Sequence, residues 1–255
     1  MKGIISILFL NVLLCNITFC YPWPVSDFNS QHPVKATLGE YRQEWRSHDG
    51  IDIGHSIGIE IYPVVSGTVS AVQRIGANDD YVTIIGNDGI LYSYLHITPD
   101  HRIRKDSTVT VGVTLLGIVK ELTGGLRPHL HFKENGGGLN PLRTGGLAPE
   151  ATQWIDPVVF KPEFRRDGTL GETAIYYTQR INGRIYIYGK INIITRAYER
   201  FDEQNGGSEN CGVYKMDYLL ASESGNYFGP FESFRFDALY PDRPVPNIFA
   251  KDPNR

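Results

Sequence analysis

His129 and His131 stand one residue apart in the run Pro128-His129-Leu130-His131-Phe132. On an extended strand alternate side chains share a face, so both imidazoles point one way while Leu130 and Phe132 point to the other, apolar side. Their Cβ atoms then lie about 7 Å apart, which lets one ring bind a metal while the other reaches only its surroundings or a substrate. Far upstream, His48-Asp49-Gly50-Ile51-Asp52 offers a second pair of metal-ligand types, and Tyr94-Leu95-His96-Ile97 adds a further imidazole. Residues four apart on a flat strand are about 13 Å from each other, whereas the ligands of one zinc sit about 2 Å from it. The chain must therefore bend between His48 and Asp52, and Asp49-Gly50 is a turn-capable dipeptide at that place. Two histidines and one carboxylate, with a fourth position left for water, make up a catalytic zinc site rather than a closed structural one.

The elements that must hold these groups read as short strands. Fifteen Tyr, 12 Phe and 27 Gly among 255 residues lean toward β structure. Residues 21–46 show no clear periodicity and read as a lead-in with one strand. From His48 to Phe132 the β-rich runs are 59–62, 64–72 with a kink at Gly67, 81–85, 90–94, 109–111 and 115–119, then the His129 strand. Asn87-Asp88-Gly89 is a hairpin turn signal between two of them. Strands this dense, without a convincing amphipathic helix, predict an all-β fold, an antiparallel sheet or barrel-like unit over residues 47–142. Glycines at 136–138 and 145–146 suggest a flexible stretch, with a linker over 143–159. Residues 160–255 alternate again over 184–193 and 213–219 and predict an immunoglobulin-like β-sandwich. That unit carries no ligand-spaced cluster.

Composition narrows the function classes. A chain with 41% hydrophobic and 21% charged residues can bury a core. Its net charge of −3 does not suit a nucleic-acid or acidic-membrane partner. Lys2 followed by the apolar run Ile4 to Leu14 reads as a signal peptide over residues 1–20, too short for a comfortable membrane span. The expected location is periplasmic or extracellular, with a lipoprotein the lesser alternative. Two of the three cysteines leave with the signal, so Cys211 cannot form an internal disulfide and stability must come from packing. Cys211 between Asn210 and Gly212 reads as an incidental, half-buried thiol in a turn.

The motifs together resemble the lysostaphin-type, LytM-like zinc metallopeptidases, which cleave the peptide stems or cross-bridges of peptidoglycan. The matching residues are His48-Asp49-Gly50-Ile51-Asp52-Ile53, Gly58, Ser66-Gly67-Thr68-Val69, Tyr94-Leu95-His96-Ile97 and Pro128-His129-Leu130-His131-Phe132, within about residues 40–142. The resemblance implies a duplicated hybrid motif fold, a Zn2+ cofactor, and His48, Asp52 and His131 as its ligands. It implies His96 and His129 as the catalytic pair, one the base toward water and the other stabilising the oxyanion. His129 is the expected base, although the two roles can be exchanged.

The chain departs from the family pattern at Lys133, where an acidic residue is usual, and in the bulkier loop Thr123-Gly124-Gly125-Leu126-Arg127. His32, His55 and His101 match no motif and read as solvated or locally bonded, while Asp49 and Asp79-Asp80 read as turn residues. The leading expectation is a secreted endopeptidase acting on peptidoglycan. The alternative is a non-catalytic regulator or scaffold on the same fold, and a surface adhesin built on residues 160–255 is a third class. The scissile bond and the oligomeric state are not legible.

Overall fold

The computed structural model describes residues 20–42, 46–76, 78–150, 154–169, 174–201, 210–221 and 224–239. Apart from Cys20, the expected signal peptide lies outside the described residues.

The strands of the first half are β1 (Tyr21–Pro22), β2 (Val34–Ala36), β3 (Tyr41–Arg42), β4 (Arg46–Ser47), β5 (Ile51–Gly54), β6 (Glu60–Ile61) and β7 (Gly67–Gln73). They continue with β8 (Tyr81–Gly86), β9 (Leu91–Leu95), β10 (Ile97–Pro99), β11 (Thr108–Val109), β12 (Gly117–Val119), β13 (His129–Glu134) and β14 (Leu147–Ala148). Seven of them form one sheet in the order β11-β7-β8-β9-β13-β5-β2, every neighbouring pair antiparallel. A second sheet, β10-β12-β6, is antiparallel as well.

Alternation explains which face is buried. Val82 and Ile84 on β8, Tyr92 and Tyr94 on β9, Leu130 and Phe132 on β13, and Ile51 and Ile53 on β5 are all sealed from solvent. Each such side chain is worth about 1.5–3 kcal/mol of burial. Their strand neighbours Asp52, Leu95, His129 and His131 then face the opposite side of the sheet. The β8–β9 hairpin closes at the expected place. Gly89 takes φ +81°, and Asp88 accepts from the Ile90 N–H at 3.0 Å and the Tyr92 hydroxyl at 2.8 Å.

Several expectations need correction. The lead-in is part of the core: Trp23, Val25, Val34 and Leu38 are buried, and β2 edges the main sheet. Strand β7 begins at Gly67 rather than running from 64, and a Cβ there would fall 2.1 Å from the Ile85 carbonyl oxygen, so close strand approach demands glycine. The glycine-bearing segment is tied down. Its 3₁₀ turn Asn135–Gly137 packs on Asp49, Asn140 is buried, and Arg143 grips the fully buried Glu134 with both terminal nitrogens at 2.5 and 2.6 Å. The Tyr21 hydroxyl donates to the same carboxylate, and β14 returns parallel to β1.

The C-terminal half is also all-β, with β15 (Trp154–Val159), β16 (Glu163–Arg166), β17 (Arg180–Ile181), β18 (Arg184–Ile185), β19 (Ile191–Ile194), β20 (Ala197–Phe201), β21 (Asn210–Cys211), β22 (Lys215–Ala221) and β23 (Tyr227–Arg235). They make antiparallel sheets of two or three strands. The expected strand over 184–193 is broken, with β18 and β19 separated at Tyr186-Ile187-Tyr188-Gly189-Lys190, where Gly189 takes φ +73°. Cys211 is fully buried rather than half-buried, its thiol 3.5 Å from the Val34 carbonyl oxygen. Around it the C-terminal half docks on the first: Gly212 meets Thr37 and Glu40, and the Phe236 ring lies over Gly39. Among the described residues no helix is long and apolar enough to cross a membrane.

Candidate metal centre

Strand register brings the five singled-out residues together. On β13, His131 pairs with Asp52 of β5 on one side and Leu95 of β9 on the other, so both central neighbours deliver their polar ends to one row. The chain bends before β5, as expected, and the bend folds His48 back onto Asp52. Gly50 is needed at that bend for close approach: a Cβ there would sit 2.5 Å from the Phe132 carbonyl oxygen and 3.0 Å from the His131 ring. His96 separates β9 from β10 in the left-handed region, φ +63°, which a residue with a Cβ rarely adopts. Its N–H donates to the Asp80 carbonyl and its own carbonyl accepts from Lys120 N–H, while the Lys120 ammonium pairs with Asp80 at 2.8 Å. Asp80 thus anchors the His96 corner and is more than a turn residue.

Three donor atoms converge. His48 Nε2 lies 3.1 Å from Asp52 Oδ1 and 3.0 Å from His131 Nδ1, and His131 Nδ1 lies 2.8 Å from Asp52 Oδ1. A tetrahedral ion about 2.0–2.1 Å from each ligand spaces them about 3.3 Å apart, so the triangle has the size of one face of such a site. The protons point away from it. His48 Nδ1 donates to the Thr37 carbonyl at 2.8 Å, and His131 Nε2 donates to Asp49 Oδ1 at 3.2 Å. Each ring therefore turns a lone pair inward beside the carboxylate, and only a cation or an extra proton relieves that crowding. Burial pushes the Asp52 pKa up, but bonds that His131 and His48 donate once they carry that extra proton outweigh it and hold the carboxyl well below the usual range. For His131 burial lowers the pKa, yet its bonds to Asp49 and Asp52 leave it raised. His48, Asp52 and His131 together can hold a metal ion.

Two more imidazoles border this triangle. His129 Nε2 lies 3.6 Å from Asp52 Oδ1, and the His96 and His129 rings meet edge to face at 4.9 Å. His129 Nδ1 is taken by the Arg127 carbonyl at 2.8 Å and His96 Nδ1 by the Asn78 carbonyl at 2.6 Å. In both rings Nε2 is the nitrogen left for chemistry.

Residues 46–141 match the family model of Peptidase family M23. The likeness belongs to this segment, 96 of the 255 residues. Solved structures similar to the chain include the catalytic domain of lysostaphin from Staphylococcus simulans, at 21% identity over 40% of this chain and 79% of that one, TM-score 0.36. A zinc-containing peptidase from Vibrio cholerae matches at 23% identity over 45% of this chain and 36% of that one, TM-score 0.37. Csd3 of Helicobacter pylori matches at 25% identity over 47% of this chain and 30% of that one, TM-score 0.37. At TM-scores this low the likenesses add no weight to the family match. No curated protein matches the chain.

Around this centre stand groups whose contacts with it the sequence did not reveal. Asp49, expected to be a turn residue, bonds His131 and pairs with Lys133 at 2.5 Å. Spacing could have found Lys133, since 129, 131 and 133 share one strand face. The Arg42 guanidinium lies 3.3 Å from Asp52 Oδ2, leaving Oδ1 for the triangle. Glu40 Oε1 accepts from Thr37 N–H at 2.7 Å and Gly212 N–H at 2.7 Å, fixing the carbonyl that orients His48. The Thr37-Leu38-Gly39-Glu40 spacing could have marked the local half of this contact, but Gly212 comes from far along the chain. His32, His55 and His101 stay outside the site. His32 bonds the Asp27 carbonyl and His101 is exposed, while His55 is half-buried against the His32 ring with an unpartnered Nε2, and burial lowers its pKa to about 4.

Proposed function

We propose that the chain is an exported zinc endopeptidase that hydrolyses peptide bonds in the stems or cross-bridges of peptidoglycan. The observation that carries this reading is the donor triangle of His48, Asp52 and His131 at tetrahedral spacing, with the His96–His129 pair at its edge. The M23 match over residues 46–141 supports a metallopeptidase. The peptidoglycan substrate rests on the motif resemblance.

His48, Asp52 and His131 are the ligands in this reading. Zinc held there would keep a net positive charge beside its one carboxylate and would supply Lewis acidity toward a water nucleophile. In this reading His129 would accept a proton from the attacking water through Nε2 and pass it to the leaving amine. His96, once protonated, can donate a hydrogen bond to the developing oxyanion. Burial lowers the His96 pKa, with His129 and His131 adding to it against the bond to Asn78. A ring kept neutral at pH 7 also suits a base, which argues for the exchanged roles, so the two histidines are assigned as a pair.

For the rest of the chain, the proposal is a signal over residues 1–20, a duplicated hybrid motif fold for 47–142 and an immunoglobulin-like sandwich for 160–255. Amino-terminal sequencing of the exported protein should find a start near Tyr21. A wall-binding regulator would need none of the five polar groups to converge, so their convergence favours the enzyme. Mass analysis of muropeptides released from several purified walls tests it. New cleavage products with zinc, lost with a chelator, are expected. A zinc-loaded protein that releases nothing from any wall would return the regulator as the better reading.

A further inference from the structure

Asp49 sits at the bend of the His-Asp-Gly-Ile-Asp run with its side chain 46% exposed, and its two oxygens have different tasks. Oδ1 faces His131 Nε2 at 3.2 Å, and Oδ2 faces Lys133 Nζ at 2.5 Å. Lys133 is only 20% exposed, because β13 carries it on the same face as His131, two residues on. A third contact comes from behind. Gly137 takes φ +91°, and a Cβ there would lie 2.5 Å from the Asp49 carbonyl oxygen and 2.8 Å from its Cβ. The 3₁₀ turn therefore closes tightly over Asp49 and limits where its carboxylate can go.

We propose that Asp49, held by Lys133, is a positioning residue for the metal centre: it accepts the Nε2 proton of His131 and so fixes the ring that presents Nδ1 to the metal. This rests on the reading of His48, Asp52 and His131 as the ligands. A histidine ligand needs its far nitrogen occupied, both to choose the tautomer and to stop rotation about χ2, and loss of such a partner typically lowers metal affinity about 10–100-fold. His48 gets that support from a backbone carbonyl, which no substitution removes. His131 depends on a side chain, so its support is open to test. Lysine at 133 then makes sense here: an acidic group beside Asp49 would repel the carboxylate from the ring.

Zinc affinity of the full chain is measured by competition with a chromophoric chelator, alongside the d–d spectrum of the cobalt-substituted protein. Asp49→Ala is expected to lower zinc affinity by about 10–100-fold and to shift the cobalt bands. Asp49→Asn keeps an acceptor oxygen without the charge and should recover part of that loss. Lys133→Met should lower affinity by several-fold in the native background, an order-of-magnitude expectation for loss of an outer partner, and have no effect once Asp49 is Ala. If Asp49→Ala and Asp49→Asn bind zinc like the native chain with an unchanged cobalt spectrum, Asp49 positions nothing. A Lys133→Met effect that persists in the Asp49→Ala background would overturn the proposed route through Asp49. Asp52→Ala separates the two levels: if the native chain and Asp52→Ala bind zinc alike, the metal reading itself fails, whereas loss confined to Asp52→Ala removes only the role of Asp49.

Discussion

Glu40→Ala probes how far the metal centre leans on the C-terminal half. Glu40 Oε1 accepts from Thr37 N–H at 2.7 Å, from the Thr37 hydroxyl at 3.2 Å and from Gly212 N–H at 2.7 Å. Its side chain is 13% exposed, so water does not readily replace it. Hydrogen bonds to a charged acceptor contribute about 1.5–3 kcal/mol each, and a buried donor left alone costs about 1–3 kcal/mol. Thr37 is buried while Gly212 is half-buried, so the two amides together should cost about 2–4 kcal/mol of stability. The same loop carries the Thr37 carbonyl that accepts from His48, so zinc affinity should fall about 10-fold, the low end for an outer partner acting at one remove. Urea unfolding of the metal-free protein and a zinc competition titration measure both. Glu40→Gln, which keeps the acceptor without its charge, should lose roughly half as much free energy. A chain ending at residue 158 loses Gly212 and the buried Phe236 together and should bind zinc more weakly than the full chain. If Glu40→Ala unfolds at the native midpoint and titrates zinc like the native chain, the coupling from Gly212 through Glu40 and Thr37 to His48 does not exist.

Replacing His48, Asp52 or His131 singly with Ala should sharply lower zinc occupancy by elemental analysis; full occupancy in all three variants would refute the ligand set. His96→Ala and His129→Ala should each keep zinc and lose turnover by about 10²-fold or more, the scale of a positioned acid–base group, and metal loss in either would make that residue a ligand. His55 gives a pH signature. Burial lowers its folded pKa from 6.5 to about 4. Between those values the unfolded chain takes up a proton that the folded chain refuses, so stability is full above pH 6.5 and declines as pH falls toward 4, by about 3 kcal/mol in all. Urea unfolding of metal-free native protein and His55→Gln at pH 7 and pH 5 should show a smaller loss in the variant; equal losses would remove His55 as the cause.

Within each pair of candidate donors the spacing was legible because it is local, whereas the choice of His48, Asp52 and His131 as the ligands came from the family resemblance. His129 and His131 alternate on one strand, and a bend at Asp49-Gly50 is the only way His48 and Asp52 can meet. The β8–β9 hairpin was legible through its turn chemistry, since Asn87-Asp88-Gly89 supplies both the positive φ and the side-chain acceptor. Asp49 was misread as a turn residue, and Lys133 stood out only as a departure from the family pattern, because their pairing exists only once β5 and β13 are side by side. The lead-in resisted reading for a similar reason. Trp23 and Val34 are core residues, but the segment contributes two- and three-residue strands, too short to show a period. Glu40 and Gly212 lie at opposite ends of the chain, and no periodicity connects them. Over 184–193 the alternation was real, yet Gly189 at positive φ breaks the strand that it suggested.

Anomalous diffraction at the zinc absorption edge, from crystals of the full chain grown with zinc, tests the central claim most directly. The expected result is one peak about 2 Å from His48 Nε2, Asp52 Oδ1 and His131 Nδ1, with the Nε2 atoms of His96 and His129 lying farther out and facing the open position. A peak bonded to His96 or His129 in place of one of the three, or no peak between β5 and β13, would contradict it.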